Sequence, residues 1–259
     1  MTVTANEKKG RTLLLFLGQV VSFTLAISNF TISLITGEGV DAPLTLSFFT
    51  YLALTLVYGS IMLYRRQKLL VPWYWYILLS YVDVQGDYLV TKAYEYTSIT
   101  SVTILDCWTI AWVIVLTWLV MGTKYSLWQF FGAAVCVGGL GLVLLSDSNP
   151  GFGGGSNPLF GDTLVIGGTV FLSISNVGME YCVKKKDRVE VLAMIGLFGM
   201  LISASGMATM ERKSIESIQW SPQLVLAYVG CTVASLILYT LIPFVLKVSF
   251  IWENSKLHF

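Results

Sequence analysis

Eight apolar stretches of membrane-spanning length fill this chain, and the polar residues inside them gather in one pair of segments. The stretches run over about 12–35, 43–64, 73–96, 98–121, 126–146, 162–183, 191–209 and 221–246. A bilayer core about 30 Å thick takes roughly 20 helical residues to cross. Open strands and irregular backbone leave unpaired peptide groups in lipid, so runs of this length read as helices. Apolar residues make up 55% of the 259 and charged residues 12%, whereas a soluble domain carries about 25% charge. The fold class is therefore all-α: a polytopic membrane bundle of about eight transmembrane helices.

Several functions drop out on composition. No basic stripe interleaved with aromatics is present, so nucleic acid is not a partner. Cys107, Cys136, Cys182 and Cys231 all fall inside apolar stretches, without the pairwise spacing of a zinc or redox site. The lone histidine, His258, lies in the tail. No nucleophile–base spacing or metal-ligand cluster suggests an enzyme, and no cofactor motif stands out. The run from Gly151 to Gly155 is glycine-rich, but no strand precedes it and no Gly-Lys-Ser/Thr follows, so it reads as a linker. The first apolar run is too long for a signal-peptide core and has no small-residue cleavage pattern behind it, so it reads as a retained first helix.

The connectors carry the charge. Lys8, Lys9 and Arg11, then Arg65, Arg66 and Lys68, then Lys124, Lys184, Lys185, Lys186, Arg188 and Lys247 fall on one side if every stretch spans. The other side holds Glu38, Asp41, Glu95, Asp147 and Asp162, with Arg212 and Lys213 as its bases. Basic loops stay cytosolic, so the expected topology is multi-pass with a cytosolic N-terminus; the organelle is not specified.

A repeat is present at an offset of 147 residues: Ile27-Ser28-Asn29 falls on Ile174-Ser175-Asn176, Trp73 on Trp220, and Tyr81-Val82 on Tyr228-Val229. Five crossings separate the copies, so the second is inverted, an architecture common in secondary transporters. The expected organisation is a first five-helix repeat over 1–149, a Gly-rich linker over 150–161, three helices of an incomplete second repeat over 162–248, and a short polar, non-helical tail over 249–259.

The run YVDVQGDYLVTKAYEYTSITSVTILDC, Tyr81 to Cys107, resembles the signature of the solute carrier 35 family, subfamily F, within the drug/metabolite transporter superfamily. The resemblance continues through DAPLTLSFFTY at Asp41 to Tyr51, GDTLVIGG at Gly161 to Gly168 and SISNVGMEYCVKK at Ser173 to Lys185. It also covers GLFGMLIS at Gly196 to Ser203 and YTLIPFVLKVS at Tyr239 to Ser249. It implies ten helices in two inverted repeats, a membrane carrier of organic solutes, and a C-terminally truncated family member here. Where the family carries Glu and Asn, this chain has Gln85 and Asp87; the two-residue shift moves the acid about 200° around the helix.

The candidate site starts from Asp83 and Asp87, four residues apart and so on one helix face. An acid at mid-bilayer is costly and faces the bundle interior or a water-filled path. The pair reads either as a substrate or proton-coupling centre or as polar residues that pack helices together. Two such carboxylates do not both ionise easily without a cation, so a shared proton is expected. Lys92 and Asp106 lie equally far from the turn near Ile99 and are expected to form an ion pair across the hairpin, structural or solute-binding, unless Lys92 reaches outward. Tyr88 and Thr100, with Tyr94, Tyr96, Thr97 and Ser101, offer rings and hydroxyls for a planar or sugar-like solute, or form an interfacial belt. Asn29 on the first stretch, and Asn176 and Glu180 on the sixth, are expected on the opposite wall, as solute ligands or as bonds between helices.

The leading reading is a secondary transporter of a small organic solute, nucleobase- or nucleotide-related metabolites included, that works by alternating access. The alternative is a non-transporting truncated isoform acting as a membrane partner or sensor. The lipid bilayer, the solute and a second copy of the chain are the expected partners.

Overall fold

The computed structural model describes residues 2–66, 72–122, 127–147, 156–185, 187–218 and 220–257. Helices account for nearly all of them, and no strand occurs among the described residues. In chain order they are α1 (Thr2–Gly37), α2 (Pro43–Leu54), α3 (Ser60–Arg65), α4 (Trp73–Ala93), α5 (Ile99–Leu105), α6 (Trp108–Met121) and α7 (Leu127–Asp147). Then follow α8 (Pro158–Lys185), α9 (Arg188–Met210), α10 (Arg212–Ser217) and α11 (Pro222–Leu257). A π-helical turn over Thr55–Gly59 joins α2 to α3 without a break in direction.

Among the described residues, six segments are long and apolar enough to cross a bilayer: Leu15–Gly37, Pro43–Arg65, Ile99–Val120, Pro158–Val183, Arg188–Met210 and Pro222–Val245. The other two expected spans coincide with α4 and α7, each 21 residues long, or about 30 Å at 1.5 Å per residue. α4 is less apolar, its run interrupted by Asp83, Gln85, Asp87 and Lys92 and by its Trp and Tyr residues. Large apolar side chains cover the outside, among them Phe16, Phe23 and Phe30 of α1 and Leu226 and Val233 of α11. So much exposed apolar surface suits lipid rather than water. The protein is an integral, multi-pass membrane protein.

Local chemistry sets the helix ends. Pro43 opens α2 at a position where its missing N–H is not needed. The N–H groups of Leu44 and Thr45 donate instead to the Glu211 carboxylate at the end of α9, at 2.6 and 2.8 Å. Ser98 caps α5 by accepting from the Ser101 N–H, and Asp187 caps α9 through Val189. Gly122 ends α6 with φ +64°, a left-handed geometry that glycine adopts without strain.

The structure corrects four boundaries. The tail expected to be non-helical continues α11 to Leu257; it contains no Gly or Pro to stop it. The fourth stretch breaks into α5 and α6 at Asp106–Cys107. The third ends at Ala93, leaving Tyr94 to Ser98 in a turn, and α8 starts earlier than expected, at Pro158. The first half of the Gly-rich linker, 150–155, lies outside the described residues.

The principal helix pairs are α4 on α8, α1 on α11 and α2 on α9, followed by α4 on α9, α6 on α8 and α11 on α2. Each of the first three pairs is antiparallel, as alternating spans require: Leu79 meets Gly178 where Thr97 meets Gly161, Tyr51 meets Gly199 where Leu44 meets Gly206, and Thr31 meets Gly230. α4 and α8 approach until a methyl added at Gly168 would stand 2.7 Å from Val90 Cγ2 and 3.1 Å from the Gly86 carbonyl oxygen. Small residues at such crossings let backbones touch where lipid provides no hydrophobic drive for association. The main core lies among α2, α4, α8 and α9, around Tyr51, Leu54, Tyr76, Val84, Leu192 and Ile195.

Candidate functional site

α4 has two working faces. Leu79, Gly86 and Val90 lie against α8. Tyr76, Ser80, Asp83 and Asp87 repeat at steps of four, three and four and form a polar seam on another face. Ser80 donates to the Ile195 carbonyl of α9 at 3.4 Å. Asp83, 2% exposed, is the centre of the seam.

Two phenols meet Asp83. Tyr51 of α2 and Tyr239 of α11 donate to the same carboxylate oxygen, Oδ2, at 2.9 and 2.8 Å. The two phenol oxygens are 3.2 Å apart, and their rings lie 5.9 Å apart, tilted by 58°. The Tyr51 hydroxyl also stands 3.4 Å from Asp87 Oδ2, so one phenol joins both acids. Ser175, buried on α8, faces Asp83. Among the described residues, no Lys or Arg forms an ion pair with Asp83 or Asp87. Each hydroxyl has one proton to give, so the pair keeps acceptor capacity and charge that phenols alone do not use up.

Backbone features converge on the same level. Gly199 lies against the Tyr51 ring, where an added methyl would stand 2.7 Å from Cδ1. The Thr55 hydroxyl donates to the Tyr51 carbonyl at 2.7 Å where the π-helical turn begins, a departure from α geometry often found at functional sites. Pro243, one turn after Tyr239, has no N–H for that residue's carbonyl.

Polar ties close the bundle on either side of this hub. Towards one end, Tyr58 donates to Thr240 at 2.9 Å and Tyr76 to the buried Glu190 at 3.0 Å. Arg65 approaches Asp187 at 3.8 Å. Towards the other end, Lys92 reaches Asp41 of the α1–α2 loop at 2.5 Å and Glu95 at 2.9 Å.

This arrangement sorts the residues singled out from the sequence. Asp83 and Asp87 come together. Tyr88 packs on the cluster around Tyr51. The expected Lys92–Asp106 ion pair does not form: Lys92 pairs with Asp41 and Glu95, while Asp106 accepts from Thr109 at 3.5 Å at the α5–α6 break. Equal distance from the turn assumed a straight hairpin, but α4 stops at Ala93 and the lysine stem extends past its end. Asn29 and Asn176 are half-buried and bond neither carboxylate of the pair; their neighbours Ser28 and Ser175 take the buried positions. Glu180 is half-buried on α8, and Thr100 is exposed on α5. Tyr51 and Tyr239 were missed. Their signal was a tyrosine well inside an otherwise apolar stretch, where an unpaired hydroxyl is costly.

Known proteins match the chain along most of its length. The family model described as solute carrier family 35, SLC35F, matches residues 7–252. Solute carrier family 35 member F2 of Xenopus tropicalis is 36% identical over 244 residues, covering 89% of this chain and 62% of the relative. Member F2 of Mus musculus is 35% identical over 242 residues, covering 90% and 64%. An uncharacterized solute carrier family 35 member of Schizosaccharomyces pombe is 29% identical over 241 residues, covering 90% and 48%. The chain thus spans less than two thirds of the length of these relatives. With its acid-centred helical bundle and a match along almost all of its own length, the chain belongs to the F subfamily of solute carrier family 35.

Proposed function

We propose that the chain is a secondary carrier of a small organic solute, with Asp83 and Asp87 as the central site of an alternating-access cycle. The observation that carries this reading is the convergence of two carboxylates and two phenols where α2, α4 and α11 meet, with no Lys or Arg paired to them among the described residues. Such a pair accommodates a third member that brings positive charge or hydrogen-bond donors: a cation, a proton or a solute rich in N–H groups. A nucleobase-like ring with N–H donors suits it. A phosphate-bearing nucleotide would bring like charge to uncompensated acids, so it is the disfavoured part of the solute range.

The helix pairing supports an inverted repeat. If α1, α2 with α3, and α4 exchange places with α8, α9 and α11, the pair α4–α8 becomes α11–α1, α4–α9 becomes α11–α2, and α2–α9 maps onto itself. The pseudo-axis would then pass between α2 and α9, beside the hub. The chemistry is not symmetric: at the offset of 147, Asp83 falls on Gly230 and Asp87 on Ala234. One half supplies the acids and the other supplies Tyr239. Arg65 and Arg188 at one end, and Asp41, Glu95 and Glu211 at the other, support a cytosolic N-terminus.

The test is flux through the purified 259-residue protein in liposomes, with labelled organic amines and nucleobases as the panel. Saturable uptake of one of them, abolished by Asp83→Asn in protein that still inserts, is the expected result. Uptake by Asp83→Asn at the wild-type rate removes the hub from the mechanism. Absence of flux across the whole panel favours a membrane partner or sensor.

A further inference from the structure

At the end of the bundle away from Arg65 and Asp187, α1, the α1–α2 loop and the α4–α5 turn surround a cavity of about 490 Å³. Its wall includes Ser33, Thr36, Asp41, Tyr94, Glu95 and Thr97. Lys92 reaches both acids, at 2.5 Å to Asp41 and 2.9 Å to Glu95. Two carboxylates against one ammonium leave one negative charge over. The surroundings do not supply the missing cation. Glu211, just past α9, is engaged with the start of α2, Asp162 of α8 accepts from Thr97, Tyr88 of α4 lies in the field of the cluster, and Glu38 is exposed just past α1. Tyr94 is 8% exposed, and its hydroxyl makes no hydrogen bond that meets ordinary geometry. That hydroxyl lies in the field of Asp106, and Asp106 in the field of Asp87.

We propose that this cavity is a mouth subsite for a monovalent organic cation, whose charge balances the carboxylate that Lys92 leaves uncompensated. Without a cation a proton plays that part. Burial, reinforced by the hydrogen bond and charge of Asp41, pushes Glu95 up to about 7. Burial also pulls Asp41 upward, but its hydrogen bonds with Glu95 and Lys92 outweigh this and hold it below its ordinary value. Below about pH 7 the cluster is neutral, with the proton on Glu95. Above it the proton leaves and a cation takes the vacant charge. The hydroxyls of Ser33 and Thr36 and the Tyr94 ring suit an ammonium with small apolar substituents. The proposal deepens the carrier reading by naming a charge class, and rests on that reading only for the step from mouth to hub.

Equilibrium binding of labelled choline to the full chain in nanodiscs, against its neutral isostere 3,3-dimethylbutanol, tests it. Between pH 6 and pH 8 the ionised fraction of Glu95 rises about tenfold, and choline affinity is expected to rise by about the same factor. Glu95→Gln should remove the pH dependence and hold affinity at its low-pH level. Lys92→Gln should tighten choline binding, because it removes the competing cation; an ion pair that merely holds the turn together would weaken it in both variants. Binding that persists in the Asp83→Asn/Asp87→Asn protein places it at the mouth. Complete loss there assigns all binding to the hub, which overturns the mouth subsite and leaves the carrier reading standing. A flat pH profile in the wild type, equal affinity for the neutral isostere, or weaker binding in Lys92→Gln each overturns it as well.

Discussion

The hub and the mouth each hold two carboxylates, yet they are built differently. Asp83 and Asp87 are met by neutral phenols inside the bundle. Asp41 and Glu95 are met by an ammonium at its end, where Asp41 is half exposed. A phenol orients a carboxylate without cancelling its charge, so the hub keeps its demand for a third partner. A lysine cancels one charge in place, so the mouth keeps a smaller demand that one proton satisfies. The partner given to an acid pair, more than the acids themselves, decides whether the pair keeps its full demand for a charged guest or only part of it.

The largest expected effect separates the two directly. Asp83→Asn should reduce uptake by at least about a hundredfold, whereas Asp41→Asn should cost about tenfold or less, since removing a group from an enclosed site costs more than breaking an exposed ion pair. Equal losses in liposome uptake would erase the distinction. Packing comes next. Gly168→Val should lower the stability of the α4–α8 crossing by about 1–3 kcal/mol or more through overpacking, whereas Gly139→Ala on α7, where nothing lies within 4 Å of the added methyl, should leave thermal melting in detergent unchanged. Tyr239→Phe removes one of two donors to Asp83 and should slow uptake by about tenfold to a hundredfold, in line with about 1.5–3 kcal/mol for a hydrogen bond to a charged group. Tyr58→Phe removes the bond to Thr240 and should cost about 1 kcal/mol of stability, with uptake preserved. The smallest effect is in pH. Glu95 is raised to about 7, above its unfolded value, so protonation favours the folded mouth and its contribution fades as pH rises through about 7. Melting temperature should therefore fall slightly between pH 6 and pH 8 in the wild type and stay level in Glu95→Gln.

Much of this was legible in the sequence, and the rest was hidden for identifiable reasons. The helices lay where apolar length put them, because lipid leaves a chain few other ways to satisfy its backbone. Asp83 and Asp87 were found because charge inside an apolar run is rare and the four-residue spacing fixes a face. Tyr51 and Tyr239 were overlooked because a tyrosine among Phe, Leu and Ile looks like core until a partner for its hydroxyl is known, and the partner lies 32 residues away for one and 156 for the other. Lys92 was given to Asp106 because depth was measured along ideal rods. The break at Asp106–Cys107 and the turn after Ala93 do not announce themselves as Gly or Pro. The polar tail does not read as helix from its composition, yet it continues α11 to Leu257 because it contains no Gly or Pro to stop it.

The central claim is that Asp83 and Asp87 form an enclosed, solute-accessible pair rather than acids held against lipid. Labelling with dicyclohexylcarbodiimide, which reaches carboxyl groups at membrane depth, followed by peptide mass spectrometry, tests it most directly. Modification at Asp83 or Asp87 that slows as the transported solute is added is the result this structure predicts. Rapid modification that no solute in the panel alters, with uptake intact after labelling, would contradict it.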